Sequence, residues 1–187
     1  MDSRTMRVTL GTILLIVGLA AGWFGHRVLN GAADIPTISL YDDWRLACPP
    51  TSQKDASCEM QQNVLDAKTR SELARLAIFR LQDDDTLVIT VPFNVLLEPG
   101  VGLAFGKDKP LVFPYETCNS VGCVGRIKVD EALRTSIGST TEARVLFAGL
   151  DGKPVGLPFS SKGFNAAASA FSNAEGKRRS WWRRLWS

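Results

Sequence analysis

The sequence predicts an all-β sandwich of roughly 130–140 residues in one domain, carried behind a single amino-terminal membrane helix. Three features predict it. Val8–Phe24 is a run of seventeen residues without charge. Short β-forming runs then recur, separated by turn residues. Two local cysteine pairs follow the apolar run.

The first element is the run VTLGTILLIVGLAAGWF, preceded by Arg4 and Arg7. As a helix it rises about 25 Å, the short end of what spans a bilayer core of about 30 Å. Trp23 would sit at the interface, with His26 and Arg27 snorkelling to headgroups. The positive charge ahead of the run keeps that end cytoplasmic, so everything after Leu29 crosses. A cleaved signal peptide is the competing reading, with Gly31-Ala32-Ala33 as its cleavage site before Asp34. The run exceeds a signal core of about 7–15 residues, and His26 and Arg27 lie between it and Ala33, which favours an uncleaved signal-anchor. The expected organisation is an anchor over 1–29, a linker over 30–37, the sandwich over 38–174 and a basic tail over 175–187.

Strands are expected at Ile38–Cys48, at Leu76–Leu81 before the turn Asp83-Asp84-Asp85, and at Thr86–Pro92. Val101–Phe105 and Leu111–Tyr115 flank the turn-like Gly106–Pro110. Gly122–Val129 follows the second cysteine pair. Arg144–Phe147 and Pro154–Phe159 flank Asp151-Gly152, a hairpin signal. Asp130 caps a short helix over Glu131–Ile137, stopped by Gly138. The alanine-rich Gly163–Asn173 is the second short helix. Residues 65–74 are ambiguous.

Cys48, Cys58, Cys118 and Cys123 are an even set in an exported domain, which reads as disulfides. Four cysteines allow three connectivities. The short spacing favours Cys48–Cys58 and Cys118–Cys123, two small loops each worth about 2–3 kcal/mol. No CxxC spacing is present, and His26 is the only histidine, so a redox pair or zinc site is disfavoured.

Charge is unevenly placed. The chain carries +3, yet residues 28–176 hold fourteen Lys/Arg against eighteen Asp/Glu, a net −4. The basic excess belongs to the end, KRRSWWRRLWS. In helical projection Trp181, Trp182, Leu185 and Trp186 share an apolar arc. Lys177, Arg183 and Arg184 point away, with Arg178 and Arg179 at the flanks. That composition fits an interfacial segment on a membrane, or docking onto an acidic protein, better than a solubilising tail. The compartment argues against nucleic acid.

With its one histidine at the membrane boundary, the exported domain has no Ser-His or Cys-His pair. No glycine-rich phosphate loop follows a strand. Asp83-Asp84-Asp85 offers carboxylates to calcium but lacks EF-hand spacing, so a solvated turn is favoured. Glu98 has no partner carboxylate. Trp44 is expected in the core rather than as a ligand platform. No catalytic residue, metal or cofactor is expected.

Several blocks carry a resemblance. Asp43-Trp44-Arg45-Leu46-Ala47-Cys48 and Cys58-Glu59-Met60-Gln61-Gln62 resemble the opening of the invasion-associated locus B family. Val91–Val101 is similar to that family's P-x-G-x-L-L-x-P-G stretch, with Asn94 in place of the glycine. Pro114–Cys118 and Gly122-Cys123 follow. Ser160–Ala167 resembles the closing S-L-x-G-F-x-x-A, with Ser161 for leucine. The resemblance spans about residues 40–172. It implies an exported protein of Gram-negative bacteria with an immunoglobulin-like sandwich, some members being associated with host-cell invasion, and it implies no catalytic residues.

The expected protein is therefore a non-enzymatic accessory subunit of a membrane complex, single-pass in the bacterial inner membrane with its domain periplasmic. The alternative is an exported, periplasmic or secreted protein that mediates host-cell or envelope contact. Expected contacts to the membrane or to a membrane-protein partner are Lys177, Arg178, Arg179, Trp181, Trp182, Arg183, Arg184 and Trp186.

Overall fold

Asp42 and Asp43 cut the first expected strand in two. Asp42 adopts φ 49°, a left-handed conformation that aspartate tolerates, and the chain reverses there. The computed structural model describes residues 3–31, 35–50, 52–53 and 55–180. In chain order the elements are α1 (Ser3–Gly31), β1 (Thr37–Tyr41), β2 (Trp44–Cys48), β3 (Glu59–Leu65), β4 (Glu72–Leu81), β5 (Asp84–Val91), β6 (Val95–Leu96), β7 (Val101–Phe105), β8 (Leu111–Phe113), β9 (Tyr115–Asn119), β10 (Gly122–Lys128), α2 (Glu131–Ser139), β11 (Ala143–Gly149), β12 (Pro154–Phe159) and α3 (Phe164–Arg179).

Two antiparallel sheets result. One has seven strands in the order β1-β2-β3-β4-β5-β10-β9. The other has five, β12-β11-β7-β8 with β6 paired to β11. The first five strands follow one another in a single sheet. An immunoglobulin sandwich already places its third strand in the second sheet, so the strand order differs from that arrangement. The alternation of β5, exposed and buried by turns along its length, turns Leu87, Ile89 and Val91 inward. They join Leu76 and Ile78 of β4 and Val101, Leu103, Val145 and Phe159 of the other sheet in one core.

The ambiguous residues 65–74 form the end of β3, a turn and the start of β4. Asp66 Oδ1 accepts from the backbone N–H of Lys68 at 2.9 Å and Thr69 at 2.7 Å, a local bond that competes with helix, and β4 starts at Glu72. The helix α2 begins as expected, with Asp130 Oδ1 accepting from Leu133 N at 2.7 Å, but runs through Gly138 to Ser139. Gly138 serves close approach instead: a Cβ there would lie 2.2 Å from Asn165 Oδ1. α3 lies against β1, β2 and β3 and closes that end of the core with Phe164, Ala167 and Phe171.

The expected membrane anchor does not stand. The apolar run lies in α1, whose residues 11–26 are exposed throughout, but among the described residues no helix is long and apolar enough to cross a membrane. The uncharged run falls short of the hydrocarbon thickness. It also spends Gly11, Gly18, Ala20, Ala21 and Gly22 on side chains that add little transfer energy. The expectation of a single-pass inner-membrane protein, amino terminus in the cytoplasm and domain in the periplasm, is corrected with it.

Candidate functional site

The residues of the sequence blocks meet in the interior. Trp44 is fully buried, donates from Nε1 to the Ser160 carbonyl at 2.9 Å, and meets Phe164 edge-on at 5.1 Å between ring centroids. Gln62 is buried beside it. Its amide donates to the carbonyls of Asp43 at 3.1 Å and Ser160 at 3.2 Å, and accepts from Ser160 N at 2.8 Å. Gly163, at φ 78°, lies so close to the first hairpin that a Cβ would sit 1.9 Å from the Tyr41 carbonyl oxygen. This knot joins the first hairpin to the start of α3. Its bonds are spent on holding the two elements together, and Trp44 fills core as expected.

The Val91–Val101 block is different, because its loops reach outward. Asn94 has φ 68°, a left-handed position that glycine or asparagine fills with least strain, which accounts for the replacement of glycine there. The block exposes Phe93 (49 %) and Leu97 (54 %). The register Cys123↔Val91 brings the β9–β10 tip to the same end, where Val121 is 60 % exposed. The register Gly149↔Val95 brings Leu150 beside them. The Cys118–Cys123 disulfide closes the hairpin that presents Val121. Four large apolar side chains from the loops of both sheets thus stand in solvent at one end of the sandwich. The sequence signal was available: Val121 sits between Ser120 and Gly122, and Leu150 precedes Asp151-Gly152, apolar residues inside turns.

The opposite end is polar and closed. The Cys48–Cys58 disulfide closes a loop held by the last turns of α3. Glu175 is buried and accepts from Cys58 N at 2.6 Å and Ser57 Oγ at 3.2 Å. Arg178 donates to the carbonyls of Pro49 at 2.9 Å, Gln53 at 2.6 Å and Ala56 at 2.8 Å. Arg179 pairs with Asp83. Asp84 pairs with Lys128 at 2.7 Å, and Asp85 with Arg80 at 2.7 Å and Arg134 at 2.6 Å. Each acid of Asp83-Asp84-Asp85 is therefore paired with a base, and Asp85 with two. The bond to Asp85 raises the Arg80 pKa, and the guanidinium lies 5.5 Å from the Phe171 ring centroid. Among the described residues no group of three or more His, Cys, Asp or Glu is placed to hold a metal ion.

Of the expected contact residues, Lys177, Arg178 and Arg179 belong to α3. Lys177 is exposed, whereas the guanidinium groups of Arg178 and Arg179 bind the fold itself. Trp181, Trp182, Arg183, Arg184 and Trp186 lie outside the described residues. One further polar group is unusual. The Tyr115 hydroxyl is buried without a hydrogen-bond partner among the described residues, and desolvation pushes its pKa up to about 12.

Fold and surface together define a disulfide-stapled, two-sheet protein with exposed apolar side chains on the loops at one end. The model of the invasion associated locus B (IalB) family matches residues 44–172, and the chain belongs to that family. Among solved structures, the crystal structure of invasion associated protein b from Bartonella henselae is similar with TM-score 0.65 at 17 % identity. The match covers 74 % of this chain and 98 % of that one. No curated protein matches the chain.

Proposed function

We propose that this protein works by binding, as an accessory component to a protein partner, and not by catalysis. The observation that carries this reading is the convergence of Phe93, Leu97, Val121 and Leu150 at one end of the sandwich. Large apolar side chains exposed together at one end of a folded domain are the kind of surface that marks a contact site, and aromatic residues such as Phe93 are enriched at interface centres. The loops that carry these residues are anchored by the sheet registers and by Cys118–Cys123, so the surface costs little ordering on binding. The basic, tryptophan-rich segment 177–187 supplies a second contact in this reading, suited to an acidic partner surface. Two disulfides suit an oxidising compartment.

The test places a photo-crosslinking residue at Phe93 or Val121, with Asp108 as a control, in living cells of the source bacterium. The expected result is one discrete adduct from the first two positions and none from the third. Adducts alike at all three, or none at any, would overturn the reading. The family match favours a second reading, an exported protein in contact with host cells. It predicts that purified protein binds host cells, and that Phe93→Ser with Val121→Ser abolishes the binding.

A further inference from the structure

The seven-stranded sheet ends on β1, and among the described outer strands β1 is the one longer than three residues that carries no proline, charge or disulfide. At the far edge of the same sheet, β9 carries Glu116, paired to Arg126, and is stapled through Cys118. In the second sheet β12 carries Pro154 and Pro158, which have no N–H to offer, and β8 is three residues long. Those are the usual protections of a sheet edge. Thr37-Ile38-Ser39-Leu40-Tyr41 has none of them, the nearest proline being Pro36 just ahead of the strand, and it exposes Ile38 at 64 % and Leu40 at 75 %.

The register fixes which backbone groups face outward. Tyr41 and Trp44 close a two-residue turn and face each other, as a hydrogen-bonded pair does. By alternation Thr37 and Ser39 direct their N–H and C=O groups toward β2, and Ile38 and Leu40 direct theirs away from it. We propose that β1 pairs antiparallel with β1 of a second copy of this chain, about a two-fold axis at Ser39. In that register Ile38 faces Leu40 of the second copy as a hydrogen-bonded pair, and Leu40 faces Ile38. Each exposed apolar side chain meets the other across the new seam. Thr37 faces Tyr41 and Pro36 faces Asp42, so no like charges meet. The strand is thus complementary to itself, which is what an isologous interface requires. A strand from an unrelated protein need not match this alternation. The pairing joins two seven-stranded sheets into one and removes the open edge. It uses a different surface from the apolar loops and stands independently of the binding reading.

The test uses the full chain in a mild non-ionic detergent. Sedimentation velocity should show a concentration-dependent dimer, and Leu40→Lys should abolish it while leaving the circular dichroism unchanged. Register is read by cysteine crosslinking. Directly opposed residues of a non-hydrogen-bonded pair have Cα atoms about 4.5 Å apart, within disulfide reach. Ser39→Cys should therefore yield a disulfide-linked dimer on mild oxidation, and Thr37→Cys, whose opposite is Tyr41, should not. A monomeric wild type, a dimer that survives Leu40→Lys, or equal crosslinking of the two variants would overturn the proposal.

Discussion

Gly163, Asn94 and Tyr115 show three different ways in which the surroundings of a single residue set what a substitution there would cost. At Gly163 both the positive φ and the Tyr41 carbonyl exclude a side chain. Gly163→Ala should cost about 3 kcal/mol or more, read by chemical denaturation. At Asn94 the positive φ alone matters, so Asn94→Gly should change stability by less than about 1 kcal/mol. Tyr115 is held by burial. Its folded pKa, about 12, stands above the ordinary tyrosine value of 10.0, so the folded state keeps the proton longer than the unfolded chain does. Its contribution to stability is complete below pH 10 and is lost as pH rises toward 12. Stability of the wild type relative to Tyr115→Phe should fall over that window. At neutral pH the phenylalanine variant should be as stable or slightly more so, because it removes a buried hydroxyl that lacks a partner.

At the scale of elements, the loop between Cys48 and Cys58 depends on α3. Arg178→Ala removes the side-chain donor from the carbonyls of Pro49 and Ala56, and leaves the Gln53 carbonyl only the Ala56 N–H. A loss of about 1–3 kcal/mol is expected, together with faster cleavage of that loop in limited proteolysis; unchanged cleavage would show that the disulfide alone holds it. Much of the strand pattern was legible in advance. β7 and β12 occupy Val101–Phe105 and Pro154–Phe159 as the β-forming runs indicated, and Asp130 caps α2. β3 escaped because Gln61, Gln62 and Asn63 look like loop. Gln62 is nevertheless buried, since its amide is satisfied by Asp43 and Ser160, far away in sequence. α3 runs past Asn173 for a similar reason. Lys177, Arg178 and Arg179 read as a tail, yet cations suit the carbonyl end of a helix, and two of them find partners on other elements.

For the whole molecule, α1 and the sandwich make separate demands. Because residues 11–26 are exposed from end to end, removing residues 1–34 should leave the thermal midpoint within about 2 °C of the full chain. A larger drop would mean that α1 packs on the domain. The apolar loop end was not foreseen, since Phe93, Val121 and Leu150 acquire meaning only when β5, β10 and β11 bring their turns together. The family blocks were legible as sequence, but two of them proved to be packing. A stretch that draws the eye in a sequence is as often a place where the backbone comes close as a place where chemistry happens.

The knot around Trp44 also sets an order of events in time. Its indole N–H finds its acceptor 116 residues later in the chain, and the Cys58 N–H finds Glu175 after 117. A chain emerging amino terminus first can pair β1 through β5 locally. It must hold Trp44 and the Cys58 amide uncovered until nearly all of it has been made. Contacts of such long separation slow folding and leave the half-built sheet open to aggregation meanwhile. The arrival of α3 is then the committing step, and a nascent chain halted before Ser160 should be a client for chaperones rather than a smaller version of the domain.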